Sequence, residues 1–218
     1  VIFVNSAWSK NAIVKQGVEE TKIKVIPLPY TIEKKHTDFK RTYPASYTKQ
    51  RPLRCLFLGT LAVRKGIHLV IEAAKQMADC PVEFIFVGRN EMDASEFALP
   101  NIQYKGILTR EEVDIAYQQT DVFLFPTFSD GFGLTQLEAM AWQLPVIATK
   151  FCGTVVEHGK NGWIMENAGA VSLVNILNEI LSNTEVLSNY SNQCLSRVQA
   201  FSTESFASAL SEILNSDQ

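Results

Sequence analysis

Short apolar runs rich in β-branched and aromatic residues alternate along the chain with longer stretches whose apolar positions recur every three to four residues. That alternation predicts an α/β fold, a doubly wound parallel sheet wrapped by helices. The apolar runs predict strands over 1–5, 23–27, 53–58, 82–87, 101–105, 121–125 and 145–148. The periodic stretches predict helices over 8–17, 66–78, 109–119 and 132–142, then three more over 168–181, 184–200 and 203–215. Thr109 and Glu112 form a capping-box pattern at the start of helix 109–119. Between Leu28 and Pro52 the rhythm stops: the segment is polar, Lys-rich, interrupted by Pro44 and without an apolar period, so it reads as a linker. Four segments follow: a βαβ piece at 1–28, too small to bury its own faces; the linker at 29–52; the main α/β unit at 53–200; and a closing helix at 201–218.

The chain has 218 residues, 46% hydrophobic and 20% charged, enough for one complete core plus additional elements. Twenty Lys and Arg against 23 Asp and Glu leave a net charge of -3, and no long basic run is present, which argues against a nucleic-acid partner. No apolar stretch approaches the roughly 20 residues that cross a bilayer. The opening Val1-Ile2-Phe3-Val4-Asn5 lacks an initiator Met and starts directly in a strand-like run, so an upstream segment is expected. Cys55, Cys80, Cys152 and Cys194 are far apart, with no Cys-x-x-Cys pair or nearby His, and read as reduced cytosolic thiols.

Four strand-to-helix corners are candidates for chemistry. After strand 53–58, Gly59 and Thr60 lead through Arg64 and Lys65 to Gly66, placing two cations where a phosphate meets a helix N-terminus; as isolated loop charges they would simply be solvated. After strand 121–125, Asp130-Gly131-Phe132-Gly133-Leu134-Thr135 sets an aromatic between glycines. The N–H groups of Gly133, Leu134 and Thr135 can converge there on an anion such as a diphosphate. Glu138, four residues past Leu134 on the same helix face, can accept hydrogen bonds from a vicinal diol such as a ribose. Asp130 can address another part of the ligand or serve as a helix N-cap, and Phe132 by itself reads as core. Gly106, Ile107 and Leu108, after strand 101–105, can lie against a flat base, and Thr149 to Thr154 closes the same rim. There is no Asp-x-Asp pair to hold a divalent metal, no His-x-Glu-x-x-His, no Gly-x-Ser-x-Gly, and no third glycine after Gly131 and Gly133.

These stretches together resemble the carboxyl-terminal, nucleotide-sugar-binding domain of the GT-B retaining glycosyltransferases of family 4. The resemblance runs from Val4-Asn5-Ser6 through Ile26-Pro27, Leu58-Gly59 through Lys65-Gly66, and Asn101 through Gly106. It continues through Gly131-Phe132-Gly133-Leu134, Leu137-Glu138-Ala139-Met140-Ala141, Pro145-Val146-Ile147-Ala148, Gly153, Glu157 and Asn161-Gly162. It implies that Lys65 contacts the donor diphosphate, Glu138 the ribose, the amides of Leu134 and Thr135 the distal phosphate, and residues near Gly106 to Leu108 the base. Asp130 and Glu138 occupy the family's paired-carboxylate positions, Asp130 with an arm one methylene shorter than the usual Glu. Thr60 stands where the family usually has an Arg, and Arg64 is the nearest substitute.

The resemblance also implies transfer of a sugar from a nucleotide diphosphate sugar to an acceptor hydroxyl, with retention and without a metal or other cofactor. Segment 1–28 would then end an amino-terminal domain that binds most of the acceptor. The closing helix would cross back toward that domain, leaving Phe206, Leu210 and Ile213 or Leu214 partly orphaned. The implied location is cytoplasmic, with peripheral association at the inner membrane face left open. A sugar-nucleotide epimerase on the same scaffold and a non-catalytic donor-binding subunit are the alternatives.

Overall fold

The computed structural model describes residues 1–216. A two-stranded parallel sheet pairs β1 (Ile2–Val4) with β2 (Ile23–Val25), and α1 (Ala7–Lys15) crosses between them. The main sheet has six parallel strands in the order β5-β4-β3-β6-β7-β8: β3 (Leu53–Leu58), β4 (Val82–Val87), β5 (Ile102–Tyr104), β6 (Val122–Phe125), β7 (Val146–Ala148) and β8 (Gly162–Ile164). Strand β8 has no counterpart among the sequence-predicted strands. It opens on Gly162 directly after the polar Lys160-Asn161, so no β-branched run announces it, and its pairing with β7 defines it.

Alternate residues of the central strands feed two cores, which is why those strands read as nearly unbroken apolar runs. Leu53, Cys55 and Phe57 of β3 and Val122 and Leu124 of β6 face one side. There they meet α3 (Ile67–Gln76) through Ile67, Val70 and Ile71, and α6 (Ala170–Ser182) through Leu173, Leu177 and Ile180. Leu56, Phe123 and Phe125 face the other side. That side is covered by Tyr117 of α4 (Arg110–Gln119), Leu137 and Met140 of α5 (Leu134–Ala141), and Cys194 and Val198 of α7 (Glu185–Gln199). The capping box expected at Thr109 and Glu112 forms at the head of α4.

Residues 29–52, which read as a linker in the sequence, form a strap packed on the main unit. It carries a short helix, α2 (Lys34–Asp38), and its anchors are single side chains that create no apolar period. His36 is fully buried with its ring edge against Trp142, Phe39 meets the same indole at 5.5 Å, and Tyr47 joins the first core. Arg41 donates to the carbonyls of Tyr117 (2.7 Å), Trp142 (2.8 Å) and Thr120, the carboxyl ends of both α4 and α5, where a cation also meets the negative pole of each helix. Arg51 closes the strap with a bidentate pair to the buried carboxylate of Asp121, 2.7 Å at each nitrogen.

The last helix, α8 (Thr203–Ser216), returns to the small sheet. Phe206 and Leu210 line an apolar groove with Phe3, Val4, Ile26 and Leu28, while Leu214 is exposed.

Candidate functional site

The chain order reverses at β3: β4 and β5 lie on one side of it, and β6, β7 and β8 on the other. The loops leaving β3 and β6 therefore diverge toward helices on opposite faces of the sheet, and the crevice between them is where open α/β sheets bind ligands. A cleft of about 470 Å³ occupies this place, a size suited to a small-molecule ligand. The strand ends Phe57, Leu58, Leu124 and Phe125 contribute to its lining. Gly59, Thr60, Arg64 and Lys65 line one side, and Asp130, Gly131, Phe132, Gly133, Leu134 and Thr135 the other.

Two glycines let the walls approach. Gly66 opens α3 at φ +78, and a Cβ there would lie 1.9 Å from the carbonyl oxygen of Pro126. Gly133 opens α5 at φ +83, where a Cβ would lie 2.5 Å from Cζ of Phe125. The Arg64 carbonyl accepts from the Phe128 N–H at 2.9 Å and the Thr127 hydroxyl at 3.2 Å, tying the two loops together.

Gly133 also settles where α5 begins. The helix starts at Leu134 and not at residue 132, and Gly133 is its N-cap, so the alternative of Asp130 as cap is corrected. Glycine supplies no capping side chain, leaving the first-turn amides of Leu134 and Thr135 without that competitor at the positive helix end. Asp130 instead accepts from the Phe132 N–H through Oδ1 at 3.2 Å and forms an ion pair through Oδ2 with Lys65 Nζ. Lys65 lies 6.0 Å from the Phe125 ring centroid. Phe132 is buried, edge-on to Phe201.

The remaining candidates lie beyond this cleft's lining. Glu138 is half-buried one turn along α5, and its Oε2 accepts from the Tyr117 hydroxyl at 3.0 Å. Burial, reinforced by the Glu138 carboxylate, raises the Tyr117 phenol far above its ordinary range and keeps it a donor. Tyr30 of the strap feels the same carboxylate, and burial first and Glu138 second push it up to about 12. Gly106, Ile107 and Leu108 follow β5 at the sheet edge. Ile107 is exposed, Leu108 packs on the second core, and the Gly106 carbonyl accepts from the Gly88 N–H at 2.8 Å. Burial pushes Cys152 up to about 12, so its thiol stays protonated. Among the described residues, no three His, Cys, Asp or Glu side chains are grouped to hold a metal ion.

Sequence reasoning missed Tyr117, Gln136 and the Asn5 and Ser6 pair. Tyr117 is 21 residues from Glu138, so no local spacing announces it. Gln136 is fully buried and donates to the Phe132 carbonyl at 3.0 Å, bracing the glycine turn from inside the helix. Asn5 lines the cleft, and Ser6 bonds the Gly131 carbonyl from a different structural unit.

Comparison with known proteins agrees with this architecture. The family described as "Glycosyl transferases group 1" matches residues 52–183, more than half of the chain. The amylovoran biosynthesis glycosyltransferase AmsK of Erwinia amylovora is 28% identical over 145 residues, 58% of this chain and 35% of that protein. The O-antigen chain mannosyltransferase C of Escherichia coli is 27% identical over 157 residues, 68% of this chain and 42% of that protein. The chain thus spans between a third and a half of these curated relatives. Among solved structures, Anabaena HepE in complex with UDP superposes with a TM-score of 0.78 at 23% identity, over 99% of this chain and 64% of that one. TarM superposes with a TM-score of 0.75 at 21% identity, over 98% of this chain and 42% of that one. These two likenesses identify the fold as that of GT-B glycosyltransferases, and the family match extends from β3 through α6, across both loops that wall the cleft. The chain belongs to the group 1 glycosyl transferases.

Proposed function

We propose that this chain forms the nucleotide-sugar donor site of a retaining, family 4 glycosyltransferase and binds its donor without transferring the sugar alone. The observation that carries this reading is the convergence of Lys65, Arg64 and the uncapped first turn of α5 on one cleft at the chain-order reversal. Cleaving the bond from sugar C1 to the diphosphate builds negative charge on the leaving phosphate. Lys65 and the amides of Leu134 and Thr135 are fixed donors suited to that charge, and they act most strongly where water is excluded. On this reading protein donors neutralise the diphosphate without a metal, and the leaving phosphate takes the proton of the attacking acceptor hydroxyl on the same face. Glu138, held by Tyr117, binds the ribose, and Gly106 to Leu108 border the base. That HepE is described in complex with UDP and with UDP-glucose supports a nucleotide sugar as the ligand class. The acceptor is bound mainly outside this chain, and the proposed location is cytoplasmic.

Calorimetry with uridine, guanosine and adenosine diphosphates and their parent nucleosides tests the site. One diphosphate is expected to bind, and Lys65→Ala to weaken it far more than its nucleoside. Equal losses reduce Lys65 to a support of the fold, and no binding by any diphosphate overturns the reading. The full-length protein, incubated with labelled nucleotide sugars and acceptor extracts, tests transfer. A non-catalytic donor-binding subunit is favoured by one observation, the engagement of Asp130 by Lys65 beside Thr60, and it predicts binding without turnover.

A further inference from the structure

We propose that Ser6 is a positioning residue for the donor diphosphate, acting through the carbonyl of Gly131; the inference rests on the donor-site reading above. Ser6 lies between β1 and α1, outside the main sheet, and is 4% exposed. Its Oγ caps α1 by accepting the Ser9 N–H at 3.0 Å and donates its own proton to the Gly131 carbonyl. Ser9 Oγ lies 3.4 Å from the same carbonyl and donates to Asn5 Oδ1 at 3.1 Å.

The value of that bond follows from where it lands. Gly131 has no Cβ, so the peptide plane joining it to Phe132 rotates cheaply unless something outside the turn holds it. Ser6 holds its carbonyl, while Asp130 Oδ1 holds its N–H, on Phe132, at 3.2 Å. The next carbonyl, of Phe132, accepts from Gln136 Nε2 at 3.0 Å and from the Gly153 N–H at 3.2 Å. Because a trans peptide points its C=O and N–H in opposite directions, these bonds also fix the N–H of Gly133. Two consecutive peptides are locked just before the amides of Leu134 and Thr135. An anion site works by having its donors aimed before the ligand arrives.

The Ser6 lock belongs to the β1–α1 unit, which meets the site again where Trp8 packs edge-on against Phe151 at 5.3 Å; the Phe151 carbonyl accepts the Asp130 N–H at 3.0 Å. The anion turn is therefore fully braced only when that unit is docked.

The test pairs S6G/S9A with Ser6→Thr. Glycine preserves the cap of α1 to within a few tenths of a kcal/mol, and S6G/S9A removes both hydroxyls facing Gly131. Threonine keeps the donor. Calorimetry uses whichever of the uridine, guanosine and adenosine diphosphates binds, together with its nucleoside. S6G/S9A is expected to weaken the diphosphate by roughly fivefold to tenfold, the worth of one lost hydrogen bond, with the nucleoside unchanged and the threonine variant like the parent. An unchanged diphosphate affinity, or equal losses for diphosphate and nucleoside, overturns the inference. If Lys65→Ala selectively weakens the diphosphate while S6G/S9A does not, only the role of Ser6 fails. If Lys65→Ala also leaves the diphosphate unaffected, the donor site itself fails and Ser6 with it.

Discussion

Lys65 Nζ and Asp130 Oδ2 are ion-paired across the cleft, their side chains 20% and 18% exposed. On the proposed reading, the cation offered to a diphosphate is thus paired with a carboxylate. A diphosphate must share or displace that carboxylate, and a negative charge near the phosphates opposes it. Asp130→Asn is therefore expected to tighten nucleoside diphosphate binding by roughly 1 kcal/mol, about fivefold, and most at low salt. Calorimetry at two ionic strengths checks this, and weaker binding would assign Asp130 to direct contact with the ligand.

Glu138 and Tyr117 form a donor–acceptor pair whose loss should be felt at the nucleoside end. Glu138→Gln is expected to lower nucleoside affinity by roughly 1.5–3 kcal/mol, about 10- to 150-fold, as charge-assisted bonds to ribose are lost. Tyr117→Phe should cost less, about threefold to tenfold, since it loosens the carboxylate without removing it. Binding isotherms for the three proteins give the order, and unchanged affinity in Glu138→Gln would remove Glu138 from the ribose.

Arg41 bonds the carboxyl ends of α4 and α5 at once. Arg41→Met keeps the apolar stem and strands those carbonyls, so unfolding free energy should fall by roughly 3 kcal/mol or more. Urea denaturation measures it; a change below about 1 kcal/mol would mean that water replaces the guanidinium adequately.

His36 is buried with Nδ1 accepting the Glu33 N–H at 3.0 Å and Nε2 unpartnered, and burial lowers its pKa from the ordinary 6.5. Glu33 and Asp114 oppose that shift, while Lys35 and Arg110 add to it. His68, stacked on Phe128, shifts the same way through burial. A depressed folded pKa means that the unfolded chain binds the proton more readily. Stability is then full above pH 6.5 and falls as pH drops through the window between 6.5 and the folded value. The urea midpoint of the parent should decline across this window, and His36→Gln should flatten part of the slope. An unaltered slope would show that His36 is not a source.

The central strands and the site corners were legible from local pattern. Both faces of β3 and β6 are covered, so the apolar runs at 53–58 and 121–125 were unmistakable. Gly59 through Lys65 and Asp130 through Thr135 were readable as one rim because loops after parallel strands emerge on the same side of the sheet. The strap was not readable. Tyr30, His36, Arg41 and Tyr47 anchor it one at a time, and single anchors leave no period in a polar segment.

The sequence by itself determined the fold class, the turn glycines and the charges at the cleft, since each depends on residues within a few positions of one another. Tertiary structure alone decided which of those groups hold one another: Lys65 with Asp130, Glu138 with Tyr117, Gly131 with Ser6. Those partners are 65, 21 and 125 residues apart. Hydrogen bonds and ion pairs act over a few ångströms, so such pairs exist only once the sheet order has brought distant loops to one rim.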